Sequence, residues 1–149
     1  MIEIAYEPSS HLLCSIAAGV RSSAENEQLF AAVDELDRHG VVHQHSVAVA
    51  LELAHGSEPL DAYWRRRFAV QRQRMKAPRA FHAVITTSKV LRGVLTAINW
   101  IGPTPPHVKS VHHGTRQEAA AWLEIVHGTP TDATLDLFAR ISWPVAKAR

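Results

Sequence analysis

Apolar residues gather in five short runs along the chain, and between those runs they recur at helical spacing. Ile2 to Tyr6 and Leu12 to Ile16 are separated by Glu7-Pro8-Ser9-Ser10, a turn-rich stretch, so the chain is expected to open on a β-hairpin. Residues 46–54 set Val47, Val49, Leu51 and Leu53 on one face and mostly alanine on the other, the pattern of a central strand covered on both sides. Ala80 to Thr86 reads as another buried strand, and Val108 to His112 as a further one.

The intervening segments carry helix signals. Ser22 and Glu25 have capping-box spacing, Leu29, Val33 and Leu36 share a helical face, and Gly40 is expected to close that helix. Ser57 is expected to cap a second helix with Pro59 in its first turn and Leu60, Trp64, Phe68 and Met75 along its apolar stripe. Thr87 or Ser88 caps a third, with Leu91, Leu95, Ile98 and Ile101 on one side and Gly102-Pro103 at its end. Thr115 and Glu118 form a second capping box ahead of Ala119, Trp122, Leu123 and Val126, and Gly128 and Pro130 stop that helix. Thr131 opens a last short helix through Leu135, Phe138 and Ile141, ended by Trp143-Pro144. Strands alternating with helices predict an α/β domain: a mostly parallel sheet of about five strands with an N-terminal hairpin, helices packed on it and an extra C-terminal helix. The 149 residues suit a single domain, with a core over 1–127 and the added helix and tail over 131–149.

Composition narrows the setting. With 46% hydrophobic and 20% charged residues the chain is neither disordered nor fibrous. Cys14 is the sole cysteine and forms no internal disulfide, which favours a reducing, cytoplasmic location. The start of the chain carries acids where a signal peptide has a basic segment, and no apolar run approaches the ~20 residues of a membrane span, so the expected protein is not membrane-integral.

The element order, together with Val111-His-His-Gly-Thr-Arg-Gln-Glu-Ala-Ala-Ala-Trp-Leu-Glu124, resembles the STAS superfamily and specifically its SpoIIAA-like branch. The resemblance spans residues 1–127 and is carried by Glu118, Ala119, Trp122 and Leu123 on the helix after the last strand. It implies a non-enzymatic module of bacterial signalling that binds a partner protein, or a small apolar or anionic ligand. A relation of that branch to lipid-binding CRAL-TRIO folds extends the implication to a lipid. Antagonists in this superfamily carry a phosphorylated serine in an Asp-Ser-Ser/Thr-Gly-Leu motif. That motif is missing here, and Ser57 is the hydroxyl nearest its place, either as a helix cap or as a phosphosite.

A net charge of +2 hides a divided chain. Residues 1–61 hold ten acids and two bases, whereas residues 62–117 hold eleven bases and no acid. Arg65, Arg66, Arg67, Arg72 and Arg74 fall on the second helix, and helical spacing is expected to leave at least one continuously positive exposed face. Three readings are open: neutralisation by acids of the first helix or across a homodimer, docking of an acidic protein or lipid headgroup, and non-specific nucleic-acid binding. The last is disfavoured, because Tyr63, Trp64 and Phe68 lie at core spacing and no recognition motif is present.

Other chemistry is thinly represented. Ten histidines invite a metal, but His43 with His45 and His112 with His113 lack partners at ligand spacing, so no metal or cofactor is expected. No glycine-rich phosphate loop follows a strand, and Cys14 sits in an apolar run that suits an inert thiol. Thr86-Thr87-Ser88, with Lys89 and Arg92 behind it, caps a helix or receives an anion. No catalytic constellation emerges. The leading expectation is an interaction module docking through Arg65, Arg66, Arg67, Arg72, Arg74, Lys89 and Arg92. The alternative is a carrier or sensor of a small apolar or lipid ligand, with a cavity lined by Trp64, Phe68, Leu95 and Trp100.

Overall fold

The hairpin and parallel strands expected from the alternating pattern form one five-stranded sheet. A computed structural model describes residues 1–54, 56–57, 61–101 and 104–141, and for 99–101 the backbone alone. Strands β1 (Ile2–Glu7), β2 (Leu12–Ala17), β3 (Val47–Leu53), β4 (Ala80–Ile85) and β5 (Val108–His113) lie side by side in chain order. β1 and β2 pair antiparallel across a single 3-10 turn at Pro8–Ser10, and the remaining pairs are parallel. The turn closes with His11 in the left-handed region at φ 48°, donating its backbone N–H to Pro8 O.

Helices cover both faces. Against one face lie α1 (Ser23–His43), α2 (Ala62–Arg74) and α3 (Lys89–Ile101), and against the other α4 (Arg116–His127) and α5 (Thr131–Ala139). The two-residue period of β3 accounts for this: Val47 and Val49 join the α1 core with Leu13, Leu29, Val33 and Leu36. Ala48 and Ala50 point the other way, into a core with Leu12, Cys14, Ile16, Phe81, Leu123 and Phe138. Their small side chains let α4 approach the sheet closely through Ala119 and Ala120, both fully buried. α5 packs on β1, β2 and α4, and it contributes Leu137 and Phe138 to that second core.

The capping box predicted for α1 is present. Ser22 Oγ accepts from Glu25 N at 3.1 Å, and Glu25 Oε1 accepts from Ser22 N at 3.2 Å. The same carboxylate accepts from Ile2 N at 2.7 Å, which ties the helix start to the first strand. Three expected boundaries differ. Gly40 does not close α1, which runs on to His43 and ends at Gln44 in the left-handed region. Gly40 is needed for close approach instead: a Cβ there would lie 2.5 Å from Val47 Cγ1 and 2.9 Å from Ala77 Cβ. Ser57 does not cap α2. Asp61 does, accepting from Trp64 N at 3.1 Å, while Ser57 Oγ donates to Ala17 O at 2.9 Å. Glu118 does not complete a capping box with Thr115, because its carboxylate reaches one residue further back, to Gly114 N. Pro59, Leu60, Gly102-Pro103 and Trp143-Pro144 lie outside the described residues. Among the described residues no helix is long and apolar enough to cross a membrane.

Candidate functional site

The basic residues of α2 take several different environments. α2 lies along the acidic helix α1, and Arg67 donates to both carboxylate oxygens of Glu27, at 2.6 and 2.9 Å. Its guanidinium also sits 4.8 Å from the Phe30 ring centre and 5.8 Å from that of Trp64, so stacking adds to the ion pair. Two further acids of α1 serve the same junction. Asp34 accepts from Gln71, and the Asp37 carboxylate accepts from the backbone N–H of Lys76 and Ala77 where the chain leaves α2. Arg72 departs from the expected exposed face and is buried, one turn from Ala69 on the side turned inward. The inward side of α2 thus runs through the partly buried Phe68 and the buried Ala69 and Arg72 to Met75 at its C-cap, and the positive surface is interrupted. Arg65 is partly buried, and Arg66 and Arg74 are exposed. Lys89 and Arg92 are exposed at the start of α3, where Arg92 donates to Thr86 O at 3.4 Å. Ser88 Oγ caps α3 by accepting from Leu91 N, and Thr86 Oγ1 accepts from Ser88 N.

Between α1, α2, α3 and the sheet lies a cavity of ≈ 80 Å³. Its apolar walls come from Leu51 and Val49 of β3, Phe68 of α2, and Leu91, Val94, Leu95 and Ile98 of α3. Of the four residues expected to line such a space, Phe68 and Leu95 do. Trp64 instead stacks on Phe30 with ring centres 5.8 Å apart, and the side chain of Trp100 lies outside the described residues. The strand register orders the cavity floor. Leu13, Val49, His82 and Ser110 form one row across β2 to β5, apolar on the first two strands and polar on the last two. Arg72 comes down from α2 toward that polar end, and His112 follows Ser110 on the same face of β5.

His82 is the most constrained member. Its ring is deeply enclosed by protein, and the residue is among those that line the cavity. Burial pushes its pKa down to about 4, with the Arg72 charge adding to the fall, so the imidazole is neutral near neutral pH. Its Nε2 is buried and has no hydrogen-bond partner. Burial likewise lowers the pKa of His112, with Arg92 contributing, and burial lowers that of the Arg72 guanidinium.

A second group of histidines gathers at the opposite ends of the parallel strands. His11 stacks on His45 at 4.4 Å between ring centres and lies 5.3 Å from His43, while His45 and His127 meet edge to face at 5.7 Å. His127 is held by Ser46 Oγ and Ser10 O, and His43 Nδ1 by His39 O. Burial, then the neighbouring histidines, lowers the His11 pKa. Among the described residues no three His, Cys, Asp or Glu side chains are arranged to hold a metal ion. Cys14 is fully buried and free, and burial pushes its thiol up to about 12, an inert state at neutral pH.

The sequence carried a signal for His82 and Ser110, which had not been singled out, and for their grouping with His112, which had been considered only as a metal ligand. His82 breaks the apolar run Phe81–Ile85, and Ser110 and His112 repeat at a spacing of two, which places all three on one face of adjacent strands. No family model matches the chain, and neither a curated protein nor a solved structure matches it.

Proposed function

We propose that this chain is a non-enzymatic carrier or sensor of a small apolar ligand, held between α2, α3 and the sheet. The observation that carries this reading is the ≈ 80 Å³ cavity with its walls of Phe68, Leu91, Val94, Leu95 and Ile98. A single water needs about 10–15 Å³ of such space, so there is room for a small molecule, and water gains little from a predominantly apolar wall. The buried, inert Cys14 suits a cytoplasmic setting. Native mass spectrometry of the purified protein, alongside thermal unfolding with small hydrocarbons and alcohols, tests the proposal. An adduct mass or a rise in Tm is expected. A clean mass together with an unchanged Tm across the series would overturn it.

A second reading is an interaction module of the kind the STAS resemblance implies, docking an acidic partner protein or forming a homodimer. It is favoured by the exposure of Arg66, Arg74 and Lys76 and by Tyr63, which is 58% exposed. It ranks below the carrier because Arg67 is engaged by Glu27 and Arg72 is buried. A pull-down with Arg66→Glu/Arg74→Glu beside the native protein distinguishes the two. Loss of a captured partner supports docking, whereas the same captured set from both counts against it.

A further inference from the structure

We propose that His11, His39, His43, His45 and His127 form an acid-operated latch at the amino ends of the parallel strands: neutral, they hold the β1–β2 turn against α1, β3 and α4, and charged, they release it. Their rings make a continuous chain. His39 lies 6.0 Å from His43 between ring centres, His43 lies 5.3 Å from His11, His11 lies 4.4 Å from His45, and His45 lies 5.7 Å from His127. The members come from the turn before β2, the end of α1, the approach to β3 and the end of α4, so their contacts exist only while these segments are together.

In the neutral state the ring nitrogens knit the segments to one another. Ser10 O can only accept, so His127 Nε2 carries the proton and donates to it at 2.7 Å, which leaves Nδ1 to accept from Ser46 Oγ at 2.8 Å. One imidazole thus ties the end of α4 to the turn and to the approach to β3. His45 Nδ1 donates to Ser46 O at 2.6 Å, and His43 Nδ1 to His39 O at 2.9 Å. His11 links the turn to β3 through its backbone, which donates to Pro8 O and accepts from Ala48 N at 3.0 Å. Its ring is covered by those of His43 and His45, which are themselves exposed, and its Nδ1 is buried without a hydrogen-bond partner among the described residues.

Charge undoes this arrangement because little of the opposite sign faces it. Like charges within about 4–6 Å disfavour one another. The charges that act on His11 are those of His45, His43, His127 and His39, with no carboxylate among them. On α1, Glu35 meets His39 at 3.1 Å but is shared with Arg38, and Asp37 is turned to the backbone N–H groups of Lys76 and Ala77. Glu7, before the turn, is engaged by Ser9 and by Arg140 at the end of α5, and Glu124 of α4 by Thr131. Tyr6 of β1 stands edge to face with His39 and stays neutral in this range. Arg79, whose carbonyl accepts from Val47 N at the start of β3, is a further cation. Hydrogen bonding alone survives protonation, since the Ser46 hydroxyl can turn to accept from a charged His127; the repulsion is what opens the cluster.

The direction with pH follows. Burial lowers the pKa of His11 and of His127, and the neighbouring histidines add to the fall. The closed cluster is therefore unaffected above the ordinary imidazole pKa of about 6.5; as the pH falls below it, the open form, with its rings solvated, takes up protons first and gains. The segment that moves is short, and Pro8 and Ser9 are already exposed.

Amide hydrogen exchange by NMR on the full chain, expressed as protection factors so that the chemical pH dependence of exchange cancels, tests the latch between about pH 7.5 and 5. The amides of Ala48 and His45, bonded to His11 O and Gly40 O, are expected to lose at least about tenfold more protection than those of Ala54 and Thr86 at the other strand ends, bonded to Ala17 O and His113 O. A uniform loss at both ends marks global destabilisation and overturns the latch, as does no loss at either. His11→Asn removes the central ring but keeps a residue that tolerates the left-handed backbone at φ 48°, and it is expected to flatten the difference between the two ends. His45→Gln, at an exposed position, is expected to raise the titration midpoint of the His11 imidazole, followed by NMR, and to shrink the same difference. Should His11→Asn fail to fold, the native comparison and His45→Gln still decide. An unmoved His11 midpoint, or a difference that keeps its native size in either variant, overturns the proposal.

Discussion

Arg67 on α2 and Glu27 on α1 meet through two hydrogen bonds, 2.6 and 2.9 Å long, forty residues apart in the chain. The pair joins the basic segment to the acidic one, so part of the charge division along the sequence is resolved within the molecule. Their side chains remain 37% and 48% exposed, which places the pair in a well-solvated setting. A double-mutant cycle with Arg67→Met and Glu27→Gln, read by urea unfolding, is expected to give a coupling of about 0.2–1 kcal/mol that shrinks with added salt. A coupling indifferent to salt would contradict this account.

Gly40→Ala isolates the close approach between α1 and β3. Alanine is the better helix former by about 1 kcal/mol, but its methyl would stand 2.5 Å from Val47 Cγ1 in a filled core. Overpacking of this kind costs about 1–3 kcal/mol, so net destabilisation is expected and Tm should fall. A rise in Tm would show that helix propensity outweighs the contact.

Phe138→Ala tests whether α5 is integral to the core. The ring is 1% exposed and lies in the same cluster as Cys14, Ile16 and Leu123. Truncating a buried phenylalanine costs about 3–5 kcal/mol, a large share of the stability of a domain this size. Chemical denaturation should register a loss in that range. A loss below about 1 kcal/mol would make the helix an accessory.

Stability should fall in acid, and His82 should carry a recognisable share. Its folded pKa of about 4 lies below the ordinary 6.5, so the neutral form is preferred in the native state. Above about pH 6.5 both states are neutral and no penalty exists; between about 6.5 and 4 the unfolded chain takes the proton first, and roughly 3 kcal/mol is lost. His11, His112, His113 and His127 have lowered pKa values and act with the same sign. Glu7, Glu25 and Glu35, lowered by their hydrogen bonds, begin to add to the loss as the pH falls through the usual carboxylate range and continue below it. Thermal unfolding at several pH values should show a shallower slope between pH 6.5 and 4 for His82→Gln than for the native chain. Equal slopes would remove His82 from the account.

The alternating strand β3 and the Ser22 cap were readable from the sequence because both are local, set by a period of two and by a spacing of three. The role of Gly40 was not, because it depends on Val47 and Ala77, which reach it only in the folded state. Arg72 was misplaced for a related reason. Helical spacing gives the relative directions of side chains but not which side meets the sheet, and an arginine on the inward side goes against composition. The cavity was legible in part: Phe68 and Leu95 followed from apolar periodicity, while the polar row of His82 and Ser110 needed the pairing of β4 with β5.

The position of α5 has a consequence for the order of events during synthesis. It rests on β1 and β2, which precede the other strands in the chain, so the underside of that hairpin stays uncovered until residues 131–139 have emerged from the ribosome. One of the two hydrophobic layers therefore cannot close in step with the hairpin it covers; its closing piece is synthesised only after all five strands.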